Sequence, residues 1–252
     1  MSRIAIFDSG FGSLSIIKPL QKKIKSEIIY FADQKNFPYG TKSVSELRKI
    51  IKSTIIRLEK KFKPDLIIIG SNTPSLLLKN LIKSQIIGVY PPLRHAVNKT
   101  KSDSIAILAT KSVIESNILK NFIKRNVPKR IKVTPISASS LVDLVESGKF
   151  IYDKKFCKKK IEKVLLKPII NNNVDVVTLS STHLPFLLPI FKQVFPNIIF
   201  LDPAYLVSNQ VVKKLKTKKS IRNSMTIFTS GNVKLFQKRL RQIGIKNTVK
   251  QL

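Results

Sequence analysis

The chain has 252 residues, 43% of them hydrophobic, which is enough for a sizeable core and too apolar for a disordered segment. Its 47 Lys and Arg against 14 Asp and Glu leave a formal charge of +33, with lysine dominant. A single cysteine excludes an internal disulfide and any cysteine-based metal site, and with only two histidines besides, no structural zinc or other metal is expected.

The N-terminus enters a short apolar run, Ile4–Phe7, with no signal-like or membrane-spanning segment, so a cytoplasmic protein is expected. The run ends at Asp8-Ser9-Gly10-Phe11-Gly12-Ser13, and Leu14, Ile16, Ile17 and Leu20 then follow a helical pattern. Strand, glycine turn and helix is the layout of a phosphate loop, but Ser15 stands where a dinucleotide fingerprint needs glycine. The favoured reading is that Asp8 and Ser9 project into a cleft while backbone N–H groups receive a carboxylate. Plain turn-forming glycines explain the spacing equally well. A second strand, Ile28–Phe31, runs into Ala32-Asp33 and a loop punctuated by Pro38 and Gly40. A helix is predicted over Ser43–Lys61 from Leu47, Ile50, Ile51, Ile55 and Leu58. Leu66–Ile69 reads as a buried parallel strand tipped by Gly70-Ser71-Asn72-Thr73, and Ile86–Val89 as another before Tyr90-Pro91-Pro92.

A second half opens near residue 99, with strand Ile105–Leu108, tip Ala109-Thr110 and one helix over Ser112–Lys124. Val133–Ile136 is predicted as a strand, followed by a helix carrying Glu146. Cys157 falls on a basic helix over Lys154–Leu166; flanking lysines would lower its pKa, although a bystander thiol is favoured. Strand Val174–Leu179 leads to the tip Ser180–His183, and Ile198–Leu201 is the next strand. Residues 207–216 are helical, Lys216–Ser224 a basic linker, and Thr226–Thr229 a last strand before a closing helix. Alternating strands and helices with short loops predict α/β layers and mainly parallel sheets.

Two stretches echo each other. Pro64–Pro74 (PDLIIIGSNTP) and Val174–Pro185 (VDVVTLSSTHLP) each place a serine, Ser71 or Ser181, six residues after an aspartate that opens a buried strand. Ile4–Ser9 and Ile105–Thr110 form a second pair. Repeats at the spacing of a small domain predict two similar, pseudo-symmetric α/β lobes. The expected lobes are 1–97 with 207–252, and 98–206, with a cleft between them formed by strand-end loops. The charge allows a nucleic-acid partner but does not favour one. Only Lys158–Lys160 and Lys213–Lys219 are dense, and no arginine-rich patch interleaved with aromatics occurs.

Six separated motifs resemble those of the glutamate racemases of the aspartate/glutamate racemase superfamily. They are IAIFDSGFGSLS, YFADQKNFPYGTKS, GSNTPS, LVESG, LSSTHLP and FTSGNVKLF, in that order. The resemblance implies a racemase of glutamate or a similar acidic amino acid that needs no cofactor. It implies that Asp8 lies beside Ser71 and His183 beside Ser181, with Glu146 near the site. Ser9, Pro38, Tyr39, Gly40, Thr41, Asn72, Thr73 and Thr182 are the implied substrate contacts. Members often form dimers, so a homodimer is allowed by the resemblance, with no interface readable. The family has cysteine at the positions of Ser71 and Ser181.

That departure bears on the chemistry. Racemisation removes the Cα proton from one face and returns one to the other, so two groups must flank the carbon. A thiol, with a pKa of about 8.5, can serve either as acid or as thiolate base. A serine hydroxyl needs an adjacent base. Three readings follow. The protein is a racemase working through Ser71/Asp8 and Ser181/His183, or through Asp8 and His183 directly. It is a homologue that binds an acidic amino acid without turnover. Or its cleft serves another reaction, with Ser71 or Ser181 as nucleophile.

Overall fold

The computed structural model describes residues 2–82, 84–215 and 222–252. Residues 216–221 of the expected basic linker, and with them part of the dense run Lys213–Lys219, lie outside the described residues. Among the described residues ten strands are formed: β1 Arg3–Asp8, β2 Glu27–Ala32, β3 Leu66–Ile69, β4 Ile86–Gly88, β5 Ser104–Ala109, β6 Lys132–Ser137, β7 Val176–Leu179, β8 Ile199–Leu201, β9 Ser224–Thr229 and β10 Val249–Gln251. They make two all-parallel sheets, with the orders β10-β9-β2-β1-β3-β4 and β6-β5-β7-β8.

The chain divides into two compact units, 1–89 with 204–252, and 90–203. The boundaries expected at 97/98 and 206/207 fall inside helices. Helix Leu93–Lys99, which the sequence reading did not anticipate, packs on β7, β8 and the helix Asn117–Asn126, so residues from 90 onward go with the second unit. Helix Ala204–Lys214 packs on helix Leu14–Lys23 and on β4, so it belongs whole to the first.

In the first unit the central strands are apolar on both faces, as a covered parallel sheet requires: Ile4–Phe7 and Leu66–Ile69 are all buried. Helix Val44–Phe62 turns Leu47, Ile51, Ile55 and Leu58 inward along one stripe. The Ser43 hydroxyl accepts the Glu46 amide at its N-cap, with Glu46 in the capping-box position. Register aligns the strand ends: Asp8 pairs with Ala32, Phe7 with Ile69, and Ala32 with Thr229. The polar tips of β1, β2, β3 and β9 therefore share the C-terminal edge of the sheet, where open α/β sheets bind ligands.

In the second unit β5 and β7 are the buried centre, and β6 is an edge strand that tolerates Pro135. The single helix expected over Ser112–Lys124 is two, Lys111–Ile114 and Asn117–Asn126, because the Ser116 hydroxyl accepts the Leu119 amide and starts a new helix. Helix Lys154–Asn171 buries Cys157, Ile161, Leu165 and Ile169, spaced four residues apart. The favoured reading of Cys157 as a bystander thiol fits its setting: burial pushes its pKa up, as does nearby Asp153, and outweighs Lys149.

The strand order second-first-third-fourth occurs in both sheets, as β2-β1-β3-β4 and as β6-β5-β7-β8. It gives the two sequence echoes the same address, since β3 and β7 each flank the first strand of their unit. The two aspartates also do the same work. Asp65 Oδ2 accepts the Arg3 amide at 2.8 Å, pinning the start of β1. Asp175 accepts the Lys101 and Ser102 amides and the Thr100 hydroxyl, pinning the turn before β5.

Partial burial works against the Asp175 carboxylate, but those bonds outweigh it and hold its pKa below the usual value. A depressed carboxylate stabilises the fold above its unfolded pKa and ceases to do so as pH falls through the folded one. The stability deficit of Asp175→Asn, measured by urea unfolding, is therefore expected to be full at pH 6 and to shrink as the pH drops below about 4.

Candidate active site

In the first unit the site is built on the tips of β1 and β3. Asp8 is 1% exposed, and its oxygens accept the Ser9 amide at 2.7 Å and the Ser13 amide at 3.1 Å. Charge-assisted bonds of this kind fix both the carboxylate and the loop that wraps it. The loop is tied further by Ser13 Oγ donating to the Tyr30 hydroxyl, which donates to the Gly10 carbonyl.

Gly70 brings the β3 tip against this loop. Its amide donates to the Phe7 carbonyl at 2.8 Å, and a Cβ placed on it would lie 2.3 Å from Ser13 Cβ. No rotamer change moves a Cβ, so the backbone itself would have to yield. Gly70→Ala is expected to cost about 1–3 kcal/mol in urea unfolding, through displacement of the Ser13 turn.

Ser71 stands next, extended at the N-cap of helix Asn72–Leu77, and its hydroxyl makes no capping bond. Asn72 is 3% exposed, yet among the described residues neither its amide nitrogen nor its amide oxygen has a hydrogen-bond partner. An unsatisfied buried amide costs about 1–3 kcal/mol, which a ligand with complementary groups would relieve. Thr73, the next residue, is buried as well.

The third wall is the loop after β2. Pro38 precedes a short 3-10 turn, Tyr39–Thr41, that packs against helix Asn72–Leu77, so Pro38, Tyr39, Gly40 and Thr41 lie beside the β3 tip. Asp33 organises this wall, a role the sequence reading missed. One oxygen accepts Asn36 Nδ2 at 2.8 Å and the Tyr39 hydroxyl at 3.0 Å, and the other accepts Ser230 Oγ at 3.0 Å. Burial, together with Asp33 and Asp8, raises the Tyr39 pKa well above that of a free phenol, so Tyr39 is held as a proton donor. The available signal was that Asp33 ends an apolar strand just as Asp8 does.

In the second unit the tip of β7 carries Ser181, Thr182 and His183, all buried. Thr178 Oγ1 donates to the Ala106 carbonyl and the Ser180 amide donates to the Leu108 carbonyl, so the tip is anchored to β5 before it turns. Helix Ser139–Glu146 packs on the turn Leu184–Leu187, and this brings its last residue to the tip. His183 Nε2 lies 2.7 Å from Glu146 Oε1, with the residues 5% and 8% exposed. A carboxylate bound to one ring nitrogen fixes the tautomer and leaves the other for proton transfer. The structure thus joins Asp8, Ser9, Pro38–Thr41 and Ser71–Thr73 in the first unit, and Glu146 with Ser181–His183 in the second.

No protein-family model matches the chain. Over 222 residues it is 30% identical to a glutamate racemase of Gloeothece citriformis, covering 85% of this chain and 77% of that protein. The chain belongs to the glutamate racemase family. Solved racemases carry the same fold. A glutamate racemase isoform of Bacillus anthracis superposes with a TM-score of 0.87 at 23% identity, over 100% of this chain and 97% of its own. The Escherichia coli glutamate racemase, solved in complex with L-glutamate and an activator, superposes with a TM-score of 0.82 at 20% identity, over 100% and 98%.

Proposed function

We propose that the protein is a cofactor-independent amino-acid racemase of the glutamate type. The observation that carries this reading is the buried His183–Glu146 pair two residues from Ser181, in a chain whose other unit sets Ser71 at the corresponding tip, that of β3, with Asp8 at the tip of the neighbouring β1. Family membership supplies the reaction, and L-glutamate bound to the Escherichia coli enzyme supports an acidic amino acid as substrate.

In the forward direction a base on one face takes the Cα proton and an acid on the other returns one, so the substrate's configuration inverts with no net bond change. On the second-unit face His183, oriented by Glu146, is the acid/base group, acting through Ser181 or directly. On the first-unit face Asp8 serves Ser71, or acts itself. Ser9, Asn72, Thr73, Thr182 and Pro38–Thr41 bind the carboxylates and the amino group, and the unsatisfied Asn72 amide supports that role.

A second reading, binding without turnover, is favoured by the serines themselves, since a hydroxyl is a poor match to proton transfer near neutral pH. Chiral chromatography of L-glutamate and L-aspartate incubated with the protein separates the two. Appearance of the D-isomer supports the racemase, and calorimetric binding of either amino acid without any D-isomer supports the binder. Among the described residues no helix is long and apolar enough to cross a membrane.

A further inference from the structure

Helix Lys154–Asn171 of the second unit turns Cys157, Ile161, Leu165 and Ile169 inward, which leaves the opposite side of the cylinder facing outward. That outward side is not uniformly polar. Phe156, Lys159, Lys163, Leu166, Lys167 and Ile170 recur on it at three- and four-residue steps, and all six are exposed. At about 100° per residue they fall within about 60° either side of a line through Lys163, along about 21 Å of helix. The apolar members, Phe156, Leu166 and Ile170, are 41%, 48% and 65% exposed. Single exposed apolar residues need no explanation, but a row of them on one face marks an interaction surface. Tyr152, at the end of the preceding helix Lys149–Tyr152, adds an exposed ring, and Lys149 Nζ lies 4.4 Å from the centre of the Phe156 ring. None of Lys159, Lys163 and Lys167 is in an ion pair among the described residues. Glu162, the one carboxylate within this helix, falls outside the row.

We propose that this face docks on an anionic lipid surface, its lysines meeting the headgroups while Phe156, Leu166 and Ile170 enter the boundary with the acyl chains. Charge and apolar content together select that occupant from the partners a basic face attracts. A planar bilayer meets a convex helix along one line. Lysine stems are long enough to keep their ammonium groups among the headgroups while neighbouring apolar side chains go deeper. Each lysine near an anionic surface adds to the attraction, and apolar burial adds to it separately. A nucleic-acid strand would use the lysines but leave Leu166 and Ile170 against phosphates and water. A second copy of this chain, packed face to face about a two-fold axis, would set Lys159, Lys163 and Lys167 against the same three residues. Such a like-charge arrangement opposes association. The inner side of the helix stays packed throughout, so docking requires no unfolding.

Co-sedimentation of the full chain with lipid vesicles, at about 0.1 M salt, tests the proposal. Saturable binding is expected to phosphatidylcholine vesicles containing one third phosphatidylglycerol, with binding about tenfold weaker or less to phosphatidylcholine alone. Leu166→Gln/Ile170→Gln keeps good helix formers and every charge, and is expected to weaken binding about fivefold or more. Lys159→Ala/Lys163→Ala is expected to weaken it about tenfold or more. The matched controls are Ile56→Gln/Leu235→Gln and Lys234→Ala/Lys238→Ala, at exposed positions of helices Val44–Phe62 and Val233–Gln242. Each is expected to bind within about twofold of wild type. Absence of binding to the phosphatidylglycerol vesicles would overturn the proposal. Equal weakening in a lysine pair and its control would overturn it too, showing only attraction to a chain of charge +33. Full binding by Leu166→Gln/Ile170→Gln would overturn entry of the apolar row. Sedimentation velocity without lipid checks the remaining occupant. Self-association of wild type that is lost in Leu166→Gln/Ile170→Gln would place a second copy on this face and overturn the lipid assignment.

Discussion

Replacing Ser71 and Ser181 together by cysteine is expected to raise the rate of glutamate racemisation by about a hundredfold or more. Each proton transfer by a well-matched group contributes about 10²–10⁴ to the rate, and the match depends on a pKa near the working pH. A thiol is close to that condition, whereas a hydroxyl depends on what its neighbour can accept. For Ser71 the proposed neighbour is Asp8, whose two oxygens are already engaged by the Ser9 and Ser13 amides. For Ser181 the proposed neighbour is His183, already oriented by Glu146. Thiols at both positions relieve the neighbours of generating the base. The single variants are expected to be asymmetric, each accelerating proton removal from one enantiomer more than from the other. Initial rates from L- and D-glutamate, measured separately, check this. A double variant no faster than wild type would show that Asp8 and His183 act on the substrate directly.

The second large effect is at the buried pair. His183→Ala is expected to lower kcat by about 10²–10⁴ while KM changes little, because the imidazole acts in the transition state more than in binding. The alanine also leaves Glu146 buried with its imidazole partner removed, which is destabilising in its own right. His183→Ala/Glu146→Gln removes the imidazole together with the carboxylate that it leaves behind, and is expected to recover stability in urea unfolding without recovering kcat. Glu146→Gln alone keeps a hydrogen-bonding group beside the ring but loses the negative charge that stabilises an imidazolium. Its kcat should fall between wild type and His183→Ala.

How far these sites could be read in advance depended on the range of the interactions that make them. Leu66–Ile69 was legible to the residue, because Pro64-Asp65 and Gly70 bracket an unbroken apolar run. Ser71 and Ser181 stood out through the echo, and the echo has a structural cause, namely two aspartates that pin neighbouring strands in units with the same strand order. By contrast, β10 contains Lys250 and Gln251 and exists because it pairs with β9, which no local pattern announces. Helix Leu93–Lys99 is too short for a periodic signal. The break at Ser116 was missed, because the apolar spacing continues on either side of it and the bond from the Leu119 amide to the Ser116 hydroxyl belongs to the fold.

The same distinction holds at the site. Asp33 was seen only as a strand end, since its partners Asn36, Tyr39 and Ser230 lie 3, 6 and 197 positions away and the last is on another strand tip. Glu146 and His183 are 37 positions apart, so their contact follows from helix packing and not from spacing. The unsatisfied amide of Asn72 is likewise a property of the folded pocket and not of the motif that contains it.

The most direct test of the two-faced proton transfer is to incubate the purified protein with L-glutamate in deuterium oxide, following loss of the Cα–H signal by NMR and configuration by chiral chromatography. The account predicts that deuterium enters Cα as D-glutamate forms, that Ser181→Ala and Ser71→Ala each suppress inversion, and that the double cysteine variant accelerates it. Neither exchange nor inversion in wild type and double cysteine variant alike would contradict it, leaving a racemase fold that does not racemise glutamate.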